Sequence, residues 1–391
     1  MGETPADFYN IAVFFPSPHR KENEMNKLGF GFLRLPQISA GQKQEIDWPL
    51  LFEMVDTFLA RGGTYFDTAY TYLDGASEAA LRRAVVERYP REAFQIADKL
   101  PSWHIKAPED CQRYFEEQCE RCGVEWFDVY LLHWLNAENY AIAQKHDEFA
   151  FLRQLKAQGK ARKIGFSYHG DAALLEKILA EHPEAEIVQL QINYLDWENP
   201  AMQARECYEA AARQGKEVVV MEPVKGGTLA NLPKEAEVLL KAYHPGASCA
   251  SWAMRFAQMP ERVSIVLSGM NAMEQMLDNL ADFSPLAPQE CAVLEQVCQL
   301  LNQSIAIPCT ACRYCTAHCP KNIAIPDYFG IYNEYSRRPD EGWKMTPAYA
   351  SLAAAHGKAS DCVGCRACER NCPQKIKITE WLAKIAQALE R

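Results

Sequence analysis

The chain has no apolar run of the roughly eighteen residues that a membrane-spanning helix needs. It has no excess of positive charge: 41 Lys and Arg stand against 51 Asp and Glu, a net charge of −10. That balance argues against nucleic acid or an anionic membrane surface as partner. The N-terminus lacks a basic region followed by a long apolar stretch, and the run Ile11 to Phe15 is too brief for a secretory signal. Nothing points to secretion, so a reducing cytoplasm is the expected compartment and disulfides are not expected. At 391 residues, 48 % of them hydrophobic, the chain is long for one domain and comfortable for two.

What is present in excess is cysteine, fifteen in all, and eight of these form two matching arrays. The first is Cys309, Cys312, Cys315, Cys319, followed by Pro320; the second is Cys362, Cys365, Cys368, Cys372, followed by Pro373. Each reads C-x2-C-x2-C-x3-C-P, the bacterial spacing for a [4Fe–4S] cluster. Three cysteines two residues apart wrap three corners of one cubane. The fourth, before proline, leaves the loop and reaches the other cluster. The expected ligand sets are therefore Cys309, Cys312, Cys315 with Cys372, and Cys362, Cys365, Cys368 with Cys319. Zinc would use separated C-x2-C pairs or histidines, which fits two runs of four poorly. The other seven cysteines (Cys111, Cys119, Cys122, Cys207, Cys249, Cys291, Cys298) fall mostly in helical patterns and read as small apolar filler.

Residues 1–24, with Pro5, Pro16 and Pro18 and a charged stretch, read as an extension with no assigned function. From Leu28 onward, short β-rich runs alternate with amphipathic helical ones. Eight strands are predicted: Leu28–Arg34, Thr64–Asp67, Phe94–Lys99, Phe127–His133, Lys163–Ser167, Ile187–Asn193, Glu217–Glu222 and Val263–Ser268. The central ones are almost continuously apolar, as parallel strands buried on both faces are. Eight β-then-α units over this length predict an α/β fold, a (β/α)8 TIM barrel over 25–284, with an open doubly wound sheet as the alternative. Residues 285–391 are expected to hold a linker helix and a C-terminal, partly α-helical, ferredoxin-like domain with two [4Fe–4S] clusters. The insert Pro320 to Asp361 is rich in aromatics (Tyr328, Phe329, Tyr332, Tyr335, Trp343, Tyr349) and is expected to form helices that pack this domain onto the barrel.

Active sites of such barrels lie at the C-terminal ends of the strands. Asp67 ends the second predicted strand, Lys99 the third and His133 the fourth, and Tyr72 follows Asp67 by five residues. Singly, each is more often structural than catalytic; together they form one constellation. It resembles the aldo/keto reductase family, whose mark is Asp, Tyr, Lys and His from consecutive strand ends. The resemblance covers about 28–281: Leu-Gly-Phe-Gly at 28–31, Phe-Asp-Thr-Ala at 66–69, Ser77-Glu78, Asp128 to His133, Ile164 to Ser167, Gln189 to Asn193, and Glu222-Pro223 with Gly226-Gly227. With the cysteine arrays, 25–391 resembles the ferredoxin-fused branch of that family.

The resemblance implies an oxidoreductase that interconverts a small carbonyl and an alcohol. Tyr72 would be the general acid. Lys99 would lower its pKa, Asp67 would orient Lys99, and His133 would polarise the carbonyl oxygen. Ser167 and Gln191 match the positions that bind a nicotinamide carboxamide; Gly269 and Asn279 match those near the adenine-side phosphate and the adenine. The sequence also departs from the family. Tyr168 and His169 follow Ser167, Met221 stands where an aromatic commonly stacks on nicotinamide, and Gly269 and Gln275 occupy places where basic residues grip a 2′-phosphate. NAD(H) and NADP(H) are thus equally implied. His169 is a candidate for the substrate pocket, and Glu222 with Lys225 reads as a solvated ion pair.

Hydride transfer moves two electrons and a cubane moves one, and the two normally meet at a flavin or a radical-stabilising substrate. No flavin motif is recognisable, and a flavin is not excluded. Three readings stand: a redox enzyme whose clusters link the barrel to a ferredoxin or other redox protein; a nicotinamide-dependent reductase with structural clusters; and a non-catalytic electron-transfer subunit.

Overall fold

Ten strands form among the described residues: β1 (Leu28–Gly31), β2 (Gln37–Ala40), β3 (Lys43–Ile46), β4 (Tyr65–Asp67), β5 (Gln95–Leu100), β6 (Phe127–Leu135), β7 (Ala161–Tyr168), β8 (Ile187–Gln191), β9 (Glu217–Met221) and β10 (Val263–Ser268). The computed structural model describes residues 27–390 except 41–42, 200–201, 282–283, 305 and 338–344. The extension 1–24 and Trp343 lie outside the described residues.

Eight strands close a parallel barrel in the order β1-β10-β9-β8-β7-β6-β5-β4. β1 pairs with both β10 and β4, which rules out the open sheet. All eight predicted strands are found; β2 and β3 form an unpredicted antiparallel hairpin. The barrel is filled by Tyr65, Ala97, Val129, Leu131, Ile187, Val219, Ile265 and Leu267, so it is a packed core rather than a pore. β7 and β8 approach so closely that a Cβ at Gly165 would lie 1.9 Å from the Ile187 carbonyl oxygen; only glycine fits there.

Three helices begin at short polar side chains that cap them. Asp47, Asn136 and Asp171 each accept a hydrogen bond from a first-turn backbone N–H. Helix Pro108–Cys122 stops at Gly123, whose φ of 71° suits a left-handed cap. Six of the seven cysteines outside the arrays are buried, as filler should be; Cys119 is half-buried.

The chain divides into two units. One holds the chain up to Asn199, Gln203–Pro223 and Ala250–Cys291; the other holds Val224–Cys249 and Ala292–Arg391. The segment Val224–Cys249, which follows β9 and falls inside the barrel range expected from sequence, thus groups with the cysteine arrays. In that second unit, helices Ile325–Arg337, Thr346–Ala355 and Ile378–Leu389 enclose a core of its own, with Tyr328, Phe329 and Tyr349 inside. The aromatics of the insert therefore build the core of their own unit. The two arrays also prove to be halves of a longer repeat. Positive φ recurs at Ala311, Arg313 and Asn322 and, 53 residues later, at Gly364, Arg366 and Lys375. The helices starting at Ile325 and Ile378 keep the same offset.

Candidate active site and cysteine cages

Asp67 ends β4 and Lys99 lies near the end of β5, so parallel register sets them side by side at the barrel rim. The Lys99 ammonium is fully buried. It donates to both Asp67 carboxylate oxygens, at 2.7 and 2.8 Å, and to the Thr68 carbonyl at 2.7 Å. The same nitrogen sits 4.9 Å from the centre of the Tyr72 ring. Tyr72 follows on a short turn and meets His133 edge-on, ring centres 5.7 Å apart. The four residues singled out from the sequence are therefore in one place.

His133 is aimed by a defect in β6. Its pairing with β7 shifts register between Leu132 and Leu135, and Trp134 takes a left-handed φ of 60°. The Trp134 N–H donates to the Ser167 hydroxyl at 2.7 Å, and Asn139 donates to the Trp134 carbonyl. Burial, then the charge of Lys99, pushes the His133 imidazole well below its usual range, so the ring is neutral. Its Nδ1 is buried without a hydrogen-bond partner.

Tyr72 departs from expectation. Its pKa is pushed well above 10.0, by burial first and then by Asp67, Glu222 and Asp98. The Lys99 charge is met by the two Asp67 oxygens, and burial dominates the tyrosine. Tyr72 therefore holds its proton across the neutral range.

The candidate nicotinamide contacts lie on the same rim but already have partners. Ser167 takes the Trp134 N–H, and Gln191 donates to Asp196 at 2.7 Å. Asn279 donates to the Ser268 hydroxyl at 3.0 Å and is only 5 % exposed. Gly269 abuts Arg34, whose Cβ would lie 3.4 Å from a Cβ placed on the glycine. Arg34 also lowers the Tyr72 pKa, so its charge reaches the site. A guanidinium beside a bare glycine backbone suits a phosphate. The sequence reading missed it by searching for basic residues only after the last strand. It also missed Trp103, which packs 5.0 Å from His133 and 5.6 Å from Trp134. Looking two to five residues beyond each strand end, as Tyr72 already suggested, would have found it. His169 lies beside Trp134, ring centres 5.8 Å apart, and burial pushes its pKa down to about 3. Lys225 is not solvated: it is 2 % exposed and donates to Gln374 at 2.9 Å.

Next to Trp103, the Ser102 hydroxyl donates to Glu148 at 2.6 Å, and burial raises that carboxyl from 4.5 to about 7. A carboxyl raised by folding binds its proton more tightly in the native state. Its contribution is complete below pH 4.5 and is lost as pH rises through about 7. The difference is worth about 3 kcal/mol. Glu148→Gln is expected to raise the melting temperature at pH 8 and leave it nearly unchanged at pH 4.5, as calorimetry at the two pH values will show.

The cysteines form two cages. Cys309, Cys312, Cys315 and Cys372 line one pocket. Cys319, Cys362, Cys365 and Cys368 line another. Each cage takes three cysteines from one array and the last from the other. Four thiols from two loops around one pocket suit a multi-atom cluster with a thiolate at each of its four corners. Burial raises the Cys309 and Cys368 thiols to about 11 and pushes Cys315 and Cys372 up as well. Cluster assembly must therefore displace those protons. Backbone N–H groups of Ala311 and Ile323 point at the sulfurs of Cys309 and Cys319, each at 3.5 Å.

Residues 27–299 match the model of the aldo/keto reductase family, and residues 308–377 match that of the 4Fe-4S dicluster domain. The chain belongs to the aldo/keto reductase family and carries a 4Fe-4S dicluster domain. An aldo-keto reductase of Mycolicibacterium smegmatis is 33 % identical over 111 residues, 28 % of this chain and 38 % of that one. The 9,11-endoperoxide prostaglandin H2 reductase of Trypanosoma cruzi is 24 % identical over 204 residues, 52 % of this chain and 66 % of that one. The chain thus spans between two-fifths and two-thirds of the length of these curated relatives. In fold it is similar to an aldo-keto reductase from Klebsiella pneumoniae solved in complex with NADPH: TM-score 0.54 and 19 % identity over 70 % of this chain and 90 % of that one. No described helix is long and apolar enough to cross a membrane.

Proposed function

We propose that the barrel reduces a small carbonyl, or oxidises the corresponding alcohol, and that two [4Fe–4S] clusters exchange electrons with a redox protein. The observation that carries the reading is the buried Asp67–Lys99–Tyr72–His133 group, with the neutral His133 ring edge-on to Tyr72. A protonated tyrosine hydroxyl and a neutral imidazole side by side can both donate to one carbonyl oxygen. A nicotinamide held at the rim would supply the hydride. Tyr72 gives its proton to the carbonyl oxygen, and the neutral His133 donates a hydrogen bond to the same oxygen. Ser167, Gln191, Gly269 and Asn279 are the proposed cofactor contacts, with Arg34 for a phosphate. Because Asn279 and Gln191 already hold partners, binding must rearrange them or use their remaining atoms.

An anaerobic titration of the reconstituted protein with NADH, then NADPH, tests the reading. Bleaching of the iron–sulfur absorption and a reduced-cubane EPR signal are expected with one of them. Clusters that dithionite reduces and neither nucleotide touches would break the circuit between barrel and clusters, leaving the reductase with structural clusters or the electron-transfer subunit.

A further inference from the structure

The 53-residue repeat pairs each position around one cage with a position around the other, and the pairs differ in what covers them. Thr310, after Cys309, is 3 % exposed; its counterpart after Cys362, Val363, is 60 % exposed. Gln374, after Cys372-Pro373, is 7 % exposed; its counterpart Lys321, after Cys319-Pro320, is exposed. At the first cage the chain supplies its own cover. Lys225 donates to Gln374, and Gly226 lies so close to Thr310 that a Cβ there would stand 2.4 Å from the Thr310 carbonyl oxygen. At the second cage the same face is open. Val363, the most exposed large apolar side chain among the described residues, sits over it, and Cys365 is itself exposed.

We infer that this open face is a docking surface for an acidic one-electron carrier protein, which exchanges electrons with the cluster held by Cys362, Cys365, Cys368 and Cys319. Charge selects the partner. At the covered cage a cation of the chain meets a neutral Gln374. At the open cage Lys321 takes the place of Gln374, and Arg366 lines the same pocket. Arg370 donates to the Cys365 carbonyl at 3.4 Å. Two carboxylates temper that charge without cancelling it: Glu369 accepts from the Thr379 N–H and hydroxyl and lies 3.8 Å from Arg366, and Asp361 accepts from the Lys358 N–H, against the three cations Lys321, Arg366 and Arg370. A positive rim around an exposed apolar centre, on a chain of net charge −10, steers an anionic partner to one spot. An open cage also shortens the path, because the cluster edge lies at the surface. The step moves one electron from the reduced carrier to an oxidised cubane; no bond forms or breaks.

The inference rests on the reading of the clusters as electron carriers, but its test does not need turnover. The cluster-loaded protein is titrated by calorimetry with an oxidised plant-type [2Fe–2S] ferredoxin, an acidic probe, at ionic strengths of about 0.01 M and about 1 M. Binding is expected to weaken at least about tenfold between the two. Arg366→Glu/Arg370→Glu, checked for unchanged iron content and cubane EPR, is expected to weaken low-salt binding about tenfold and to match wild type at high salt. Lys321→Glu, outside the cysteine loop, is expected to act in the same direction. With the reduced ferredoxin, the rate of cluster bleaching should fall in step, while reduction by methyl viologen stays fast in every variant. Salt-independent binding, equal binding of a basic cytochrome, or variants that bind as wild type would each overturn the inference. If the ferredoxin reduces the clusters but nothing reaches the barrel, the circuit reading fails and the docking surface stands.

Discussion

Tyr72→Phe is expected to slow carbonyl reduction by about 10²–10⁴-fold, the contribution of a positioned general acid, without loss of clusters. The variant removes one oxygen and keeps the ring that packs against Lys99 and His133. Steady-state kinetics should show the loss in kcat rather than KM, because the proton moves only in the transition state. The pH profile carries a second expectation. Tyr72 is held well above 10.0 by burial and Asp67, so the wild-type rate should not fall through Tyr72 ionisation below about pH 10. An alkaline limb near pH 8 that disappears in Tyr72→Phe would mean that a cation restrains the hydroxyl after all. Lys99→Met separates chemistry from stability. It leaves Asp67 buried without its partner, and its expected mark is a loss of about 3–5 kcal/mol in denaturant unfolding. A Tyr72→Phe protein that unfolds as easily as Lys99→Met would show Tyr72 to be structural.

The second large effect concerns the cages. If the fourth cysteine of each array serves the other cluster, Cys312→Ala/Cys372→Ala damages one cage alone and leaves about four iron atoms per chain. Cys312→Ala/Cys319→Ala damages both, and iron should fall towards zero. Arrays that each kept their own cluster would give the opposite pattern. Iron analysis with cubane EPR reads the difference, and the reciprocal outcome is as clear as the expected one. The two pockets place the sulfurs as crossing requires, three from one loop and one from the other.

Two kinds of information were legible in the sequence. Strand positions came from apolar runs and their boundaries, because burial on both faces constrains every residue of a parallel strand. The cysteine cages came from spacing, because a tight loop can hold three corners of a cubane only at fixed offsets. The positions of Asp67, Lys99 and His133 at strand ends followed from the same pattern, since parallel strands in one barrel bring their C-terminal ends to one rim.

The environment of those residues was not legible, because it depends on distant neighbours. Lys99 sits beside Tyr72, yet its charge goes to Asp67, and only the packing shows the tyrosine pKa rising instead of falling. Arg34 reaches Gly269 from the other end of the barrel sequence. Trp134 turns at positive φ because the β6–β7 register slips there, and strand periodicity carries no sign of it. Glu222 and Lys225 look like a surface pair three residues apart, but burial against Gln374, 149 residues on, decides what Lys225 does. The sequence by itself determined the barrel, the two cysteine cages and the residues at the rim, because local spacing and burial dictate them. Tertiary structure alone decided which charges compensate one another, and that one cage is covered by Val224–Cys249 while its twin is open. Those depend on which segments meet in space, and the cysteine spacing that the two loops share carries no record of that.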